Sequence, residues 1–290
     1  MRRLCVIGDP VAHSKSPAIQ NAMLRSLGLD DEYLCKLVRA EDLKEFMADM
    51  RRGDWAGCNV TMPHKRAVIP YLDQVEEGAA RCEAVNTICN RNGRLYGYST
   101  DGGGFLRAMA ESGVEAAGKT VTLLGAGGAA KSVAWALSRA GVKKLYVANR
   151  TVEKADELCK LSPDIMEPAP FDTDTLCKLA EKSDLLVNGT SLGMGGVAGQ
   201  FEDFSFLKGL PAHASVFDLI YHPAETELLR LARERGLAAH NGLGMLIHQA
   251  VLALEYFIGE PVDTAKVLPA ARAALEQGST GGKERHEDHI

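Results

Sequence analysis

The 290-residue sequence has little that would mark it as a membrane, metal-bound or disulfide-stabilised protein. Its most apolar late segment is interrupted by His248, Gln249 and Glu255, so it does not predict a membrane span. The apolar run before Gly8 is too short for the core of a secretory signal. The seven cysteines are odd in number and form no CxxC pair, which argues against disulfides and a zinc site. We therefore expect a cytoplasmic protein with reduced thiols and no bound metal.

Excess positive charge is also missing. The formal net charge is -5, so neither nucleic acid nor an anionic membrane is expected as the main partner. Hydrophobic residues make up 46% and charged residues 24%, which is ordinary for a globular protein and excludes a fibre or a disordered chain. The expected partner is a small molecule. The sequence contains no heptad or other association signal, so monomer and homodimer both remain open.

Strand-like and helix-like segments alternate along the chain, which predicts an α/β protein with mostly parallel sheets. Gly102 to Gly104 follow Asp101 and open a predicted helix, and we interpret them as a hinge between domains. A second boundary is expected near Asn241, where a turn precedes a long apolar helix. We therefore predict two domains, one formed by residues 1–101 with 241–290 and the other by residues 102–240. The carboxy-terminal helices are expected to return to the first domain. The polar tail GSTGGKERHEDHI is expected to be disordered.

A glycine turn lies between a strand and a helix in TVTLLGAGGAAKSVAWALSRAG. Gly125, Gly127 and Ala130 have the GxGxxG/A spacing of dinucleotide-binding sites. The glycines permit a tight turn and a close approach of pyrophosphate to the amides of the helix amino terminus. The alternative is a plain tight turn, but the flanking strand and helix favour a Rossmann-type cofactor site.

The next strand, KKLYVAN, ends at Asn149 and is followed by Arg150 and Thr151. An NAD site would present an acidic residue here to the ribose 2′-hydroxyl, whereas a guanidinium suits the 2′-phosphate of NADP. The alternative is that Arg150 and Lys154 are solvated surface charges. The position favours NADP as the cofactor.

Two serines precede the first predicted helix in GDPVAHSKSPAIQNAML. Ser16 has the position of an N-cap with Pro17 as the first helical residue, and that capping role is the structural alternative to a binding site. Ser14 adds a second hydroxyl, so the loop could hold a carboxylate at the positive end of the helix.

The order of these motifs along the whole chain resembles the shikimate dehydrogenase family. The resemblance implies NADPH-dependent, reversible reduction of 3-dehydroshikimate to shikimate, on the route to chorismate and the aromatic amino acids. It also implies that the first domain binds substrate and the second binds NADP. The motifs are HSKSP (13–17), NVTMPHK (59–65), EAVNT (83–87), STDG (99–102), GAGGAA (125–130), NRT (149–151), NGTSLGM (188–194) and GLGML followed by Gln249.

The resemblance implies a role for each matching residue. The alternative for Asn59 and Asn86 is stabilisation of local backbone, and Met245 is by default a core residue, whereas Gln249 within an apolar helix needs a polar partner. Lys65 and Asp101 would be the catalytic pair. The substrate carboxylate would be held by Ser14 and Ser16, and the ring hydroxyls by Asn59, Thr61, Asn86, Asp101, Tyr221 and Gln249. The cofactor would be held by Gly125, Ala126, Gly127, Gly128, Ala129, Asn149, Arg150, Thr151, Lys154, Thr190, Leu219, Gly242 and Met245.

Lys65 is expected in the first turn of a helix that starts at Pro63. A lysine is ordinarily protonated at neutral pH, and the helix dipole contributes only about 0.3 to 1 kcal/mol against that charge. Lys65 therefore suits proton donation to the developing alkoxide during carbonyl reduction. His64 is the rival proton carrier in the same segment.

Two positions depart from the family pattern: Ser99 replaces a common asparagine, and Gly189 replaces a frequent alanine. The serine pair at 14 and 16 favours shikimate over quinate as substrate. The alternatives are a dual quinate/shikimate dehydrogenase, a sugar-acid or folate-type reductase of the same architecture, and a non-catalytic ligand-binding regulator.

Overall fold

The computed structural model describes residues 1–280. Of the tail that we expected to be disordered, 278–290, residues 281–290 lie outside the described residues. None of the described helices has both the length and the apolar character needed to cross a membrane. All seven cysteines lie in the described part, and none of them forms a disulfide there. The strands of residues 1–280 are β1 (Arg3–Gly8), β2 (Glu32–Leu37), β3 (Gly57–Val60), β4 (Gln74–Val75), β5 (Thr87–Arg91), β6 (Arg94–Tyr98), β7 (Thr120–Leu124), β8 (Lys144–Asn149), β9 (Met166–Pro170), β10 (Leu185–Asn188), β11 (Ser215–Asp218) and β12 (Ala238–His240). The α-helices are α1 (Ser16–Ser26), α2 (Leu43–Arg52), α3 (Glu77–Arg81), α4 (Asp101–Glu111), α5 (Gly128–Arg139), α6 (Val152–Cys159), α7 (Thr173–Ala180), α8 (Glu227–Glu234), α9 (Leu243–Ile258) and α10 (Thr264–Thr280).

The chain divides into two compact units. The first unit comprises Met1–Thr100 and Gln249–Ile290, and the second comprises Asp101–His248. The second division falls inside α9, after the turn near Asn241 where we placed the boundary. The α/β class with mostly parallel sheets is confirmed in both units.

The sheet of the first unit has the strand order β2-β1-β3-β5-β6-β4. β1 pairs in parallel with β2 and β3, whereas β5 pairs antiparallel with both β3 and β6. The β5–β6 hairpin turns at Asn92 and Gly93, which both have positive φ, as a tight hairpin turn requires. Because β5 runs antiparallel to β3, the start of β5 lies at the same sheet edge as the end of β3.

The sheet of the second unit is entirely parallel, with the order β12-β11-β10-β7-β8-β9. Its central strands are apolar on both faces, as expected for a parallel sheet covered by helices on each side. In β10, for example, Leu185 and Val187 pack into one core, and Leu186 packs into the other. The chain order reverses between β7 and β10, the position at which open α/β sheets bind ligands.

The glycines at 102–104, which we interpreted as a hinge, lie within α4. A Cβ on Gly102 would come within 2.4 Å of the Ser132 carbonyl oxygen and 2.7 Å of the Ala136 Cβ on α5. Glycine at this position therefore allows α4 to pack closely against α5. The division between the two units falls directly before it, between Thr100 and Asp101, and the hinge interpretation stays a prediction.

Candidate functional site

The two predicted anion-binding serines lie where the loop after β1 enters α1. The Ser14 hydroxyl accepts the backbone N–H of Ser16 at 3.2 Å, and the Ser14 N–H donates to the Val11 carbonyl at 3.0 Å. α1 begins at Ser16, and its N-cap position is Lys15. The prediction that Ser16 is the N-cap is therefore wrong by one residue.

A chain of polar side chains crosses the sheet of the first unit. It begins at Tyr33, a buried residue of β2 that the sequence analysis missed. The Tyr33 hydroxyl donates to Asn59 Oδ1 at 2.6 Å. Asn59 Nδ2 then donates to the Asn86 carbonyl at 3.1 Å and to the Thr87 hydroxyl at 3.0 Å. A continuous polar chain therefore runs from β2 to β5.

The chain continues to the end of the first unit's amino-terminal segment. The Thr87 hydroxyl donates to Asn86 Oδ1 at 3.0 Å, and the backbone N–H of Thr100 donates to the same oxygen at 2.8 Å. Asn86 Nδ2 donates to the Thr100 hydroxyl at 2.9 Å, and that hydroxyl donates to Gln249 Oε1 at 3.4 Å. Three predicted substrate residues, Asn59, Asn86 and Gln249, are thereby joined by hydrogen bonds. We call the set the asparagine network; its members are Tyr33, Asn59, Asn86, Thr87, Thr100 and Gln249.

Lys65 lies in a run of turns rather than in the helix that we predicted. Residues 62–68 are all described and have turn conformation. The Lys65 carbonyl accepts the N–H of Val85 at 3.0 Å, a long-range bond that takes the acceptor a continuing helix would use. His64 is buried, and its Nε2 lies 2.7 Å from the Val38 carbonyl oxygen. The His64 ring is thus anchored in the fold, whereas the Lys65 side chain is half-buried.

Two further predicted substrate residues belong to the second unit. Asp101 is the first residue of α4 and is buried, at 7% exposure. Tyr221 follows β11 and is 40% exposed, which is unusual for a large aromatic side chain. Thr61 remains in the first unit, where its N–H donates to the Ile7 carbonyl at 2.9 Å.

A cavity of about 180 Å³ opens at the carboxyl ends of β7, β8 and β10. It is built around the glycine turn that the sequence predicted. Among the described residues that line this cavity, none is acidic, and Arg150 is the one with a positively charged side chain. The lining residues are Gly125, Ala126, Gly127, Asn149, Arg150, Phe171, Gly189, Thr190, Ser191 and Leu192.

The glycine turn allows the chain to approach the opposite wall closely. Gly125 has φ of 98°, and a Cβ there would lie 3.0 Å from Thr190 Cγ2 and 3.1 Å from the Gly189 carbonyl carbon. α5 begins at Gly128 with Gly127 as its N-cap, and both glycines are exposed. The first amides of α5 therefore face a site that suits a phosphate group.

The tip of β8 forms the other wall. Asn149 Nδ2 donates to the Thr151 carbonyl at 2.8 Å, which fixes the turn into α6. Arg150 is exposed and lines the cavity. Thr151 and Lys154 are also exposed but are not among the residues that line it. The residues therefore fit an NADP 2′-phosphate at Arg150 and a pyrophosphate at the glycine turn.

A buried carboxylate supports the Thr190 wall. Asp218 accepts hydrogen bonds from Asn188 Nδ2 at 3.0 Å, the Ile220 N–H at 3.1 Å and the Thr226 hydroxyl at 2.6 Å. Burial raises the pKa of Asp218 above its ordinary value, although these hydrogen bonds act to lower it. Asn188 Oδ1 in turn accepts the Thr190 N–H at 3.0 Å and the Thr190 hydroxyl at 2.7 Å. We call Thr190, Asn188, Asp218 and Thr226 the aspartate network.

Three residues that the resemblance assigned to the nicotinamide end lie away from the described lining. Met245 is buried in the same core as Phe217, and Leu219 packs against that core. Gly242 donates its N–H to the Ile220 carbonyl at 2.9 Å, and a Cβ on it would fall 2.1 Å from the Leu219 carbonyl oxygen. The sequence analysis assigned no role to Phe171, Ser191 and Leu192, which also line the cavity. Ser191 and Leu192 lie within the NGTSLGM motif, whereas Phe171 follows β9 outside any motif.

Three family models match the chain. Residues 6–88 match the shikimate dehydrogenase substrate binding domain, residues 108–193 match shikimate / quinate 5-dehydrogenase, and residues 242–272 match the shikimate 5′-dehydrogenase C-terminal domain. The matches follow the order of the motifs along the chain.

Relatives match over almost the full length. Shikimate dehydrogenase (NADP(+)) of Symbiobacterium thermophilum is 45% identical over 285 residues, which cover 95% of each chain. The structure of shikimate 5-dehydrogenase from Thermus thermophilus in complex with NADP(H) and shikimate has a TM-score of 0.82 and 36% identity, covering 95% of this chain and 100% of that one. The ligand-free 5-ketofructose reductase of a Gluconobacter species also has a TM-score of 0.82, with 31% identity, covering 94% and 98%.

Proposed function

Since the chain belongs to the shikimate dehydrogenase family, we propose that it catalyses the NADPH-dependent, reversible reduction of 3-dehydroshikimate to shikimate. This reaction belongs to the shikimate pathway, which leads to chorismate and the aromatic amino acids. In this proposal the first unit binds the substrate and the second unit binds NADP. Cysteines that form no disulfide among the described residues are compatible with the reducing cytoplasm, where we place the enzyme as a monomer or homodimer.

The observation that carries the proposal is the asparagine network, which supplies neutral hydrogen-bonding groups in one buried cluster. A polyhydroxylated ring needs such groups, because each of its hydroxyls can both donate and accept. Asn59, Asn86 and Gln249 would bind the ring hydroxyls. Ser14 and Ser16, in the loop that enters α1, would bind the carboxylate with the help of the helix dipole.

Bound NADPH supplies the hydride, and the chain supplies the proton. We propose that Lys65 donates a proton to the carbonyl oxygen as negative charge develops on it, because an ammonium both stabilises an alkoxide and can protonate it. Asp101 would be its catalytic partner. In the oxidation direction, the unprotonated Lys65 amine would take the hydroxyl proton.

On the cofactor side, the cavity with Arg150 and without a described acidic lining residue favours NADP over NAD. The glycine turn would bind the pyrophosphate. Thr190 would form the facing wall, while Leu219, Gly242 and Met245 would lie toward the nicotinamide.

The direct test is the absorbance change at the nicotinamide wavelength when the purified protein is mixed with shikimate or quinate, each with NADP or NAD. The proposal predicts that the cofactor is reduced fastest when the protein is given shikimate and NADP. Comparable rates with quinate would assign a dual quinate/shikimate dehydrogenase. Reduction of 5-ketofructose by NADPH, without any reaction of shikimate, would assign the alternative carbonyl reductase. Binding of shikimate without turnover would instead indicate a non-catalytic regulator.

A further inference from the structure

The hydrogen bonds around Asn59 fix which way its amide points. Its Nδ2 faces the Asn86 carbonyl, which can only accept, and the Thr87 hydroxyl, which already donates to Asn86 Oδ1. Both N–H bonds of Asn59 are therefore used within the protein. Its Oδ1 receives one bond, from Tyr33, and a carbonyl oxygen can accept two. Asn59 can thus offer a ligand an acceptor and not a donor.

This orientation also fixes the direction of the remaining bond. Because Asn59 Oδ1 only accepts, Tyr33 must spend its single hydroxyl proton on it at 2.6 Å. Tyr33 is 1% exposed, so solvent cannot replace its hydroxyl.

We propose that Tyr33 is a positioning residue that sets Asn59 as the hydrogen-bond acceptor for a substrate hydroxyl. This inference rests on the proposed function, since it assumes a ligand with a ring hydroxyl. It adds a residue that contacts no substrate but determines which polar groups the site presents.

Tyr33 is held in place by interactions that do not involve its hydroxyl. Its backbone N–H donates to Asn21 Oδ1 at 2.9 Å, its carbonyl accepts from Asn21 Nδ2 at 2.7 Å, and its ring packs 6.5 Å from that of Phe257. Replacing Tyr33 by phenylalanine should therefore remove the hydroxyl alone. Asn59 Oδ1 then loses its fixed donor, and the amide no longer has one preferred orientation.

The experiment compares Tyr33→Phe with wild type by titrating shikimate calorimetrically, both without cofactor and with saturating NADPH, which cannot react with shikimate. We expect the dissociation constant for shikimate to rise about 5- to 30-fold, the range for loss of one buried hydrogen bond. The kcat is expected to change by less than about threefold, because the contact is made in both ground and transition states. Tyr256→Phe is the matched control in the same unit, where Tyr256 stacks on Tyr98, and its affinity should match wild type.

Two further measurements separate positioning from general destabilisation. In an Asn59→Ala background, Tyr33→Phe should have no further effect on shikimate affinity. Cyclohex-1-ene-1-carboxylate, which keeps the carboxylate but lacks the ring hydroxyls, should inhibit wild type and Tyr33→Phe equally. A lower melting temperature with unchanged shikimate affinity would overturn the inference, as would additive effects of the two substitutions. Failure of wild type to bind shikimate would instead overturn the proposed function and, with it, the ligand assumed here.

Discussion

The two units each hold a buried polar network at a sheet edge, but one network is neutral and the other contains a carboxylate. In the first unit, the orientation of Asn59 depends on the single proton of the Tyr33 hydroxyl. In the second unit, Asp218 accepts three hydrogen bonds, so the orientation of Asn188 is fixed by a group that can only accept. The neutral network suits hydroxyl groups that both donate and accept. The charged network suits a rigid wall beside a cofactor.

The largest effect is expected from the chemical step itself. Lys65→Ala should lower kcat by about 10²- to 10⁴-fold, because the developing alkoxide loses its proton donor. Shikimate affinity should change little, since the asparagine network remains. Stopped-flow measurement of NADPH consumption with 3-dehydroshikimate tests this, with Lys44→Ala on the exposed face of α2 as the control. A loss of kcat below about tenfold would exclude Lys65 as the proton donor.

Arg150→Asp should produce the next largest change, on the cofactor side alone. A carboxylate would repel the 2′-phosphate that the guanidinium is proposed to bind, so the Michaelis constant for NADPH should rise by about 10- to 100-fold. The Michaelis constant for NADH, which lacks that phosphate, should rise far less. Steady-state kinetics with both cofactors measures the ratio, and equal changes would mean that Arg150 does not contact the 2′-phosphate.

Asn188→Ala should weaken NADP binding by about 5- to 30-fold, because Thr190 loses the acceptor that holds it against the glycine turn. Fluorescence titration of NADP measures this. Thr122→Val is the matched control, since it removes a buried hydroxyl pair of 2.7 Å with Ser183 in the same unit. If both variants lose the same stability and neither loses NADP affinity, the aspartate network has no role in cofactor binding.

The smallest effect is a pH dependence confined to the second unit. Burial, with a contribution from Arg233, lowers the pKa of His240 below its usual 6.5. Its Nε2 has no hydrogen-bond partner among the described residues, and its ring stacks on Phe217 at 4.5 Å. The unfolded chain therefore binds this proton more readily, so stability is full above pH 6.5 and falls as the pH drops toward the lower folded-state pKa.

His240→Phe keeps an aromatic ring but cannot titrate. Its melting temperature relative to wild type should therefore increase as the pH is lowered from about 7.5 to about 5, measured by differential scanning calorimetry. Tyr33→Phe should show no such trend over this range, since burial raises the pKa of Tyr33 further above its ordinary value near 10. A pH-independent difference for His240→Phe would contradict the assignment.

Local patterns predicted much of the second unit. Continuous apolar strands, a glycine turn and an arginine at the next strand tip are all features of neighbouring residues, and each was found at its expected place. The sequence could not show why Gly102 is a glycine, because its close neighbour is the backbone of Ser132 on another helix.

The first unit was less predictable because its polar groups are paired over long sequence separations. Tyr33 and Thr100 were assigned no role from the sequence, and their importance follows only from the positions of Asn59, Asn86 and Gln249 in the fold. The helix expected after Pro63 is likewise replaced by turns, since the Val85 N–H binds the Lys65 carbonyl. The sequence therefore identified Asn59, Asn86 and Gln249 as ligand-binding candidates. It did not identify Tyr33 and Thr100, which hydrogen-bond to them.

The central claim is that the asparagine network serves shikimate binding and the aspartate network serves NADP binding. Its most direct test is to titrate shikimate and NADP separately into Tyr33→Phe and Asn188→Ala. The account predicts opposite patterns: Tyr33→Phe should weaken shikimate alone, and Asn188→Ala should weaken NADP alone. If both substitutions weaken the same ligand, or if neither weakens its assigned ligand, the proposed roles of the two networks are wrong.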